Sequence, residues 1–377
     1  MTHERNTKDL PRGTKLKVKV EGIGSFGEGL ARIDGAEIFI PKAAPEDELE
    51  IEILEKKKGR YRARILELIK ASPKRQSAPC KHFEECGGCD FQHLSYEEQI
   101  AWKERMTRHW IRRSPLEPFL KNLSLDVIPA ENPYAYRHRV RLQVKDRRLH
   151  FFKPHSSTLL PIEECPVLVD GFFNQLKESA ANMDDQRDWN QSYVQSYEIA
   201  QKTLRFDERC FTQANLKMNQ KIWKRIEDDI QSLESYESAL DLYCGIGNFS
   251  LPLKDYFKTV TGVESEGASL EWARKNDPSI DWRAGYCEDV IQTLHQERKV
   301  FDFVLLDPPR TGALKVCEAL SRLRPARITY VSCSLESLIV DLTFLLKKGG
   351  YRVTRWSVVD LFPQTHHIES VVSLVPQ

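Results

Sequence analysis

Three cysteines crowd into ten residues in the spacing Cys80-x5-Cys86-x2-Cys89, with Gly87-Gly88 between the last two; a fourth candidate follows far downstream in Glu164-Cys165-Pro166. A Gly-Gly turn lets two thiolates face one centre and frees backbone amides to hydrogen-bond sulfur. Four thiolates suit either Zn²⁺ or an iron–sulfur cluster. Structural zinc sites usually pair two short knuckles, whereas three clustered cysteines plus a distant Cys-Pro are the commoner iron–sulfur arrangement. The expectation is therefore a [4Fe–4S] cluster of structural role, since unrelated buried thiols explain three in ten residues poorly.

A second set of residues sits where strands should end. Asp241-Leu242-Tyr243-Cys244-Gly245-Ile246-Gly247-Asn248 closes an apolar run with a glycine turn, and Glu264 closes the next run 17 residues after Gly247. Glycines there let the backbone approach a ligand at a helix start, and an acid at the second strand end accepts ribose hydroxyls. The turn alone would also fit a dinucleotide. Asp241 before the turn, the absence of G-x-G-x-x-G, and Asp307-Pro308-Pro309-Arg310 at a further strand end together read as S-adenosylmethionine binding.

The same rim offers a nucleophile. Asp-Pro-Pro before an aromatic residue suits methylation of exocyclic amines, but here Arg310 follows, and Cys333 leaves the next strand in Ser332-Cys333-Ser334. A thiolate beside a methyl donor suggests attack on carbon. Carbon 5 of uracil is a poor nucleophile until a thiolate adds at carbon 6 and makes an enolate, which splits one difficult step into two. A base must then remove the carbon 5 proton, and Glu369 stands just before the final apolar run. If that strand is antiparallel, as an edge insertion, its start lies at the rim that carries Cys333. By itself a cysteine at a strand end is more often inert and a lone glutamate more often a surface group; Cys210, Cys244, Cys287 and Cys317 read as free thiols, and Trp102 and Trp110 as one packed helix face.

The elements that must position these groups fall into three parts. From about residue 236, strands alternate with helices, the pattern of a doubly wound α/β sheet whose working residues gather at the carboxyl ends of its strands. Residues 13 to 70 alternate apolar and polar residues in short bursts between glycines, which reads as four or five strands of a small OB-like barrel. Its outward lysines, Lys15, Lys17 and Lys19, and the run Lys56-Lys57-Lys58-Gly59-Arg60 suit an RNA backbone or a plain solvated surface. The expected division is a barrel at 10–70, a central α+β domain with the cluster at 71–205, including a helical link at 93–122 that packs on the catalytic part, and a Rossmann-like catalytic domain at 206–377.

Composition bounds the partners. The 377 residues, 41% hydrophobic and 29% charged, can build several cores, and the net charge of +1 hides a basic stretch, residues 101 to 155, with 13 Lys or Arg against 5 Asp or Glu. Alternation puts Arg137, Arg139 and Arg141 on one strand face, a row suited to tracking phosphates. No apolar run is long enough to cross a bilayer, the polar start has no signal-peptide core, and nine cysteines, an odd number, argue against a disulfide framework. The expectation is a cytoplasmic monomer with an RNA partner and no membrane.

Taken in order, Phe211-Thr212-Gln213-Ala214-Asn215, the Asp241 to Asn248 turn, Leu305-Leu306-Asp307-Pro308-Pro309-Arg310, Ser332-Cys333-Ser334 and the Phe362 to Glu369 segment resemble the RNA 5-methyluridine methyltransferases. The Phe26 to Arg32 segment resembles a TRAM domain, which implies RNA binding. Residue by residue, the resemblance implies Cys333 as nucleophile and Glu369 as base, and S-adenosylmethionine contacts at Gln213, Tyr243, Asn248, Glu264 and Asp307. It implies [4Fe–4S] ligation by Cys80, Cys86, Cys89 and Cys165, and Phe211 against the flipped uracil. A cofactor contact the family often places between Glu264 and Asp307 has no assigned counterpart in Ala284 to Glu288. The subgroup resembled methylates large-subunit ribosomal RNA, here 23S rRNA; a tRNA T-loop is the alternative substrate, and an RNA-binding or RNA-folding protein without catalysis is the alternative of another class.

Overall fold

The computed structural model describes residues 9–57 and 59–377; Lys58 of the basic run and the polar start at 1–8 lie outside the described residues. The chain divides into two units that interleave along the sequence: Met1–Lys103 with Arg148–Pro166 and Pro363–His366, and Glu104–Arg147 with Val167–Phe362 and His367–Gln377.

In the first unit six strands, one more than the upper expectation, form a sheet in the order Lys15–Lys19, Glu48–Lys57, Arg60–Lys70, Ala36–Ile40, Gly29–Ile33, Gly22–Ile23. Period-2 alternation sorts the residues: Leu49, Ile51 and Ile53 are buried with Val18, Ile38, Ile40 and Tyr61, while Glu48, Glu50 and Glu52 face outward. The outward lysines do not form a bare positive face. Lys15, Lys17 and Lys19 pair in register with Glu52, Glu50 and Glu48, and opposite charges on facing strands neutralise one another. Fully buried Asp47 accepts from the Ala44 and Ser72 amides and from Arg75, fastening the barrel to the segment that leads into the cysteines. Beyond them, Trp102 packs edge-on against Phe91, as the helix-face reading expects.

The second unit is built on an eight-stranded sheet in the order Asp281–Ala284, Thr259–Glu264, Ser238–Leu242, Phe303–Leu306, Arg327–Ser332, Glu369–Pro376, Tyr351–Val359, Leu125–Ile128. The strands bury apolar residues on both faces, Val304 to Leu306 and Val371 to Leu374 among them, as a sheet covered by helices requires. Strand order reverses at Ser238–Leu242, the switch point at which such sheets open a ligand crevice. Glu369–Pro376 is antiparallel to both neighbours, as expected, but it is an interior strand and not an edge. Its buried Val371, Val372 and Leu374 need cover on both sides, and the short link from Val359 admits only a reversal of direction. The edge is taken by Leu125–Ile128, which comes from far upstream in the sequence.

Candidate active site

The carboxyl ends of the central strands bring together the residues singled out by type and spacing. Ser332 and Ser370 are partners in the antiparallel register, so Cys333 and Glu369 face each other one step beyond them. Cys333 is half-buried and Glu369 is 3% exposed. Burial first, then the Glu369 and Asp307 carboxylates, push the Cys333 thiol up to about 11, while Arg310 hydrogen-bonds it and pulls the other way. Arg310 also lies 3.3 Å from His367 Nε2. Arg310 stands out in the sequence only as a non-aromatic residue after Pro-Pro; its part in the site is visible only in three dimensions.

Asp307 ends its strand beside the same crevice. Burial pushes its carboxyl up to about 7, and Gln213 Nε2 donates to its Oδ2 at 3.3 Å. Asp241 is buried, also raised to about 7, and accepts from the Ser250 hydroxyl, but its Oδ1 has no hydrogen-bond partner. Glu264 is held by amides: Gly245 N donates to Oε2 at 3.0 Å, and Ser265 N and Glu266 N to Oε1 at 2.6 and 2.7 Å. These donors fix the carboxylate at the strand end, filling both lone pairs of Oε1 and leaving one on Oε2.

The turn between Asp241 and the next helix depends on its glycines. Tyr243, Gly245 and Gly247 all take positive φ, +65°, +56° and +90°. A Cβ on Gly247 would meet the Trp282 ring at 2.9 Å, so this position requires glycine on two counts. Asn248, in the same turn, exchanges amide hydrogen bonds with Asn219, 2.8 and 3.1 Å, and accepts from the Tyr197 hydroxyl at 2.6 Å. Asn219 and Tyr197 carried no sequence signal.

Gln213 belongs to a short stretch leading into the Leu216–Ile230 helix, capped by Asn215, whose Oδ1 accepts from Met218 N. Next to it Phe211 is 68% exposed although Cys210, Thr212 and Gln213 are buried. The basic strand Arg139–Lys145 carries Arg139 and Arg141 on one face, with Arg137 two residues before its start in an isolated bridge, and the three are not a free row. Arg139 donates to the carbonyls of Cys210 and Glu208, and Arg137 Nε donates to Arg139 O at 2.9 Å; Arg141 is exposed, 3.7 Å from Asp188. The remaining thiols, Cys210, Cys244, Cys287 and Cys317, are all buried.

In the other unit Cys80, Cys86, Cys89 and Cys165 are all reduced and half-buried. Gly88 N points at Cys86 Sγ, 3.4 Å away, Cys80 N donates to Gln92 Oε1, and a Cβ on Gly87 would press on Phe152 O at 3.0 Å. Burial raises the Cys89 thiol, with smaller contributions from Cys165 and Cys86, so these groups sense one another. Among the described residues no three His, Cys, Asp or Glu side chains form a set that could hold a metal ion. The four thiols thus share a region without forming a coordination shell; thiolates converge favourably only around a metal's charge.

Comparison with known proteins agrees with this geometry. The family model described as tRNA (Uracil-5-)-methyltransferase matches residues 182–281 and 290–377, and a TRAM domain model matches 10–66. The chain is 30% identical over 423 residues to the 23S rRNA (uracil(1939)-C(5))-methyltransferase RlmD of Pectobacterium atrosepticum, covering 94% of this chain and 92% of that protein. The chain belongs to the RNA uracil-C5 methyltransferase family. To the RlmD of Salmonella choleraesuis this methyltransferase is 31% identical, with 95% of each covered. The crystal structure of Pyrococcus abyssi tRNA (uracil-54, C5)-methyltransferase with S-adenosyl-L-homocysteine shares its fold, with a TM-score of 0.74 at 22% identity, over 95% of this chain and 99% of that one. The enzyme is thus an S-adenosylmethionine-dependent RNA uracil-C5 methyltransferase with a TRAM domain, and no described helix is long and apolar enough to cross a membrane.

Proposed function

We propose that this methyltransferase modifies carbon 5 of a uridine in 23S rRNA, with Cys333 as nucleophile and Glu369 as base. The register that sets Cys333 opposite Glu369 carries the reading, because the two must act on adjacent carbons of one ring. Cys333 Sγ forms a bond to carbon 6, and the electron pair moves toward carbon 5 and the carbonyl at carbon 4. S-adenosylmethionine, when bound, supplies the methyl group that carbon 5 takes. Glu369 then accepts the proton from carbon 5, the Sγ–carbon 6 bond breaks, and the thiolate is regenerated. Arg310 favours the anionic sulfur at both ends of this cycle. Buried Glu369 is screened from bulk water, which keeps the proton between enzyme and base.

Gln213, Tyr243, Glu264 and Asp307 would hold the cofactor: Glu264 by its amide-braced oxygens at the ribose, Asp307 and Gln213 as a donor–acceptor pair at the rim. Asn248 would act on the cofactor turn from behind, through Asn219 and Tyr197. Cys80, Cys86, Cys89 and Cys165 would be the ligands of a [4Fe–4S] cluster once drawn together around its charge; what supports this is their residue type, an amide aimed at Cys86 sulfur, and a glycine the turn cannot replace. The barrel at 10–70 would grip RNA, the part at 71–205 hold the cluster, and 206–377 carry out the transfer.

Relatives matched over nearly their whole length and named for 23S rRNA support this substrate class. Nucleoside mass spectrometry of separated ribosomal and transfer RNA, from cells with and without the gene, tests it. Loss of 5-methyluridine from 23S rRNA alone supports the proposal; loss from tRNA alone replaces the substrate; loss from neither rejects it. Covalent capture of RNA containing 5-fluorouridine tests the chemistry, since fluorine blocks the proton removal and strands the adduct. An adduct formed by Cys333→Ala would show the nucleophile to be another residue.

A further inference from the structure

The loop that carries Phe211 and Gln213 is held from two sides. On one side the Gly267–Asn276 helix, which starts just after Glu264, fastens it: Trp272 Nε1 donates to Asp207 Oδ2 at 2.9 Å, and Asn276 exchanges hydrogen bonds with the Arg205 backbone. On the other side stands the strand of Arg139. His138 N donates to Ala214 O at 2.9 Å, and the Arg139 guanidinium spans the carbonyls of Cys210 and of Glu208, the latter at 3.0 Å. Between these ties Phe211 is thrown out to solvent while Gln213 turns inward to Asp307.

We propose that Arg139 is a positioning residue for the Phe211–Gln213 loop, acting through the carbonyls of Glu208 and Cys210, and is not a phosphate contact. A guanidinium presents its donors in one rigid plane, so a single side chain fixes two carbonyls at a set separation; an ammonium cannot. The two carbonyls belong to the residue directly before Phe211 and to one two residues earlier, so loss of the fork frees the backbone from which both functional side chains project. Two of the Arg139 N–H groups are committed to the loop carbonyls, whereas Arg141, two residues on along the same strand face, is 67% exposed in its side chain and holds only an exposed ion pair with Asp188 at 3.7 Å. The inference rests on the reading that Gln213 contacts the cofactor.

The test uses the full chain with S-adenosylhomocysteine as an unreactive probe. Binding is measured by calorimetry for wild type, Arg139→Met, Arg139→Lys, Gln213→Ala and the Arg139→Met/Gln213→Ala double variant. Arg139→Met should weaken binding about tenfold, Arg139→Lys less, and the double variant should bind no more weakly than Gln213→Ala alone, since coupled residues are not additive. In parallel, the dependence of RNA affinity on salt should keep its slope in both Arg139 variants and lose about one unit in Arg141→Ala. Unchanged cofactor affinity with a reduced salt slope in the Arg139 variants would overturn the proposal, as would additive losses in the double variant. Should Arg139→Met fail to fold, Arg139→Lys alone and combined with Gln213→Ala decides by the same criteria. A wild-type chain that does not bind the probe removes the cofactor reading itself, and the proposal with it.

Discussion

Cys333 and Glu369 stand opposite each other at the ends of two antiparallel strands, one residue beyond the Ser332–Ser370 pair. The arrangement has an electrostatic consequence: a carboxylate next to a thiol makes the thiolate harder to form, and burial adds to this. The nucleophile therefore rests as the neutral thiol, with its pKa raised to about 11. Such a resting state protects sulfur from oxidation, which the thiolate undergoes more readily.

The rate of adduct formation on 5-fluorouridine RNA should accordingly climb with pH, about tenfold per unit from pH 7 to 9, because the thiolate fraction does so below the pKa. In Glu369→Gln the same curve should move to lower pH, since one of the charges opposing the thiolate is gone. A flat profile in wild type would show that the thiol is not the titrating group.

Arg310 acts on Cys333 by its charge and as a hydrogen-bond donor, and both lower the thiol's pKa. Arg310→Met should slow adduct formation by roughly 10- to 100-fold, the loss of a charge-assisted hydrogen bond to sulfur. Binding of S-adenosylhomocysteine should stay within about threefold of wild type. Unaltered adduct kinetics would leave Arg310 without a part in activation.

Asp307 ties the cofactor crevice to stability. Its carboxyl, ordinarily near 3.8, is pushed up to about 7 in the fold, so between these values the native state holds a proton that the unfolded chain has lost. Stability from this group is full below pH 3.8, falls as pH rises toward 7, and stays low above. Asp307→Asn should thus raise the melting temperature of the free protein at pH 8, with a smaller gain at pH 5, while abolishing methyl transfer. Equal melting temperatures at both pH values would contradict the raised carboxyl.

Gly247→Ala should destabilise the second unit by about 1–3 kcal/mol, from positive φ and the approach to the Trp282 ring together. Denaturant midpoints check this, and the variant should bind cofactor weakly because the turn that carries Tyr243 must shift. A variant as stable as wild type would mean that the ring yields freely.

Cys86→Ser should cost the anaerobically purified protein its iron and its visible sulfide-to-iron absorption. Because the cysteines lie in the unit without Cys333, the Cys86→Ser protein should retain the capacity to form the 5-fluorouridine adduct at reduced yield. Wild-type protein without iron or sulfide would reject the cluster.

Much of this site was legible in the residues themselves. Asp241, Glu264, Asp307 and Cys333 each end a run of apolar residues, and short runs between glycine turns and amphipathic helices can only be parallel strands whose ends share one rim. The link from Val359 to Glu369 is too short for a crossover, so the direction of the last strand was also readable. Strand order was not. The placing of Glu369–Pro376 inside the sheet, and of Leu125–Ile128 at its edge, depends on which apolar faces find cover, a competition among segments distant in sequence. The arginine row shows the same limit. Alternation placed Arg137, Arg139 and Arg141 on one strand face; the strand holds Arg139 and Arg141 and leaves Arg137 outside it, and only the folded chain could bring the Glu208 and Cys210 carbonyls under Arg139, or Arg310 beside Cys333. Residue type and period determine which groups a strand presents and on which side. What those groups meet, and so whether a charge is free for a partner or spent on its own backbone, is decided only when the tertiary structure closes.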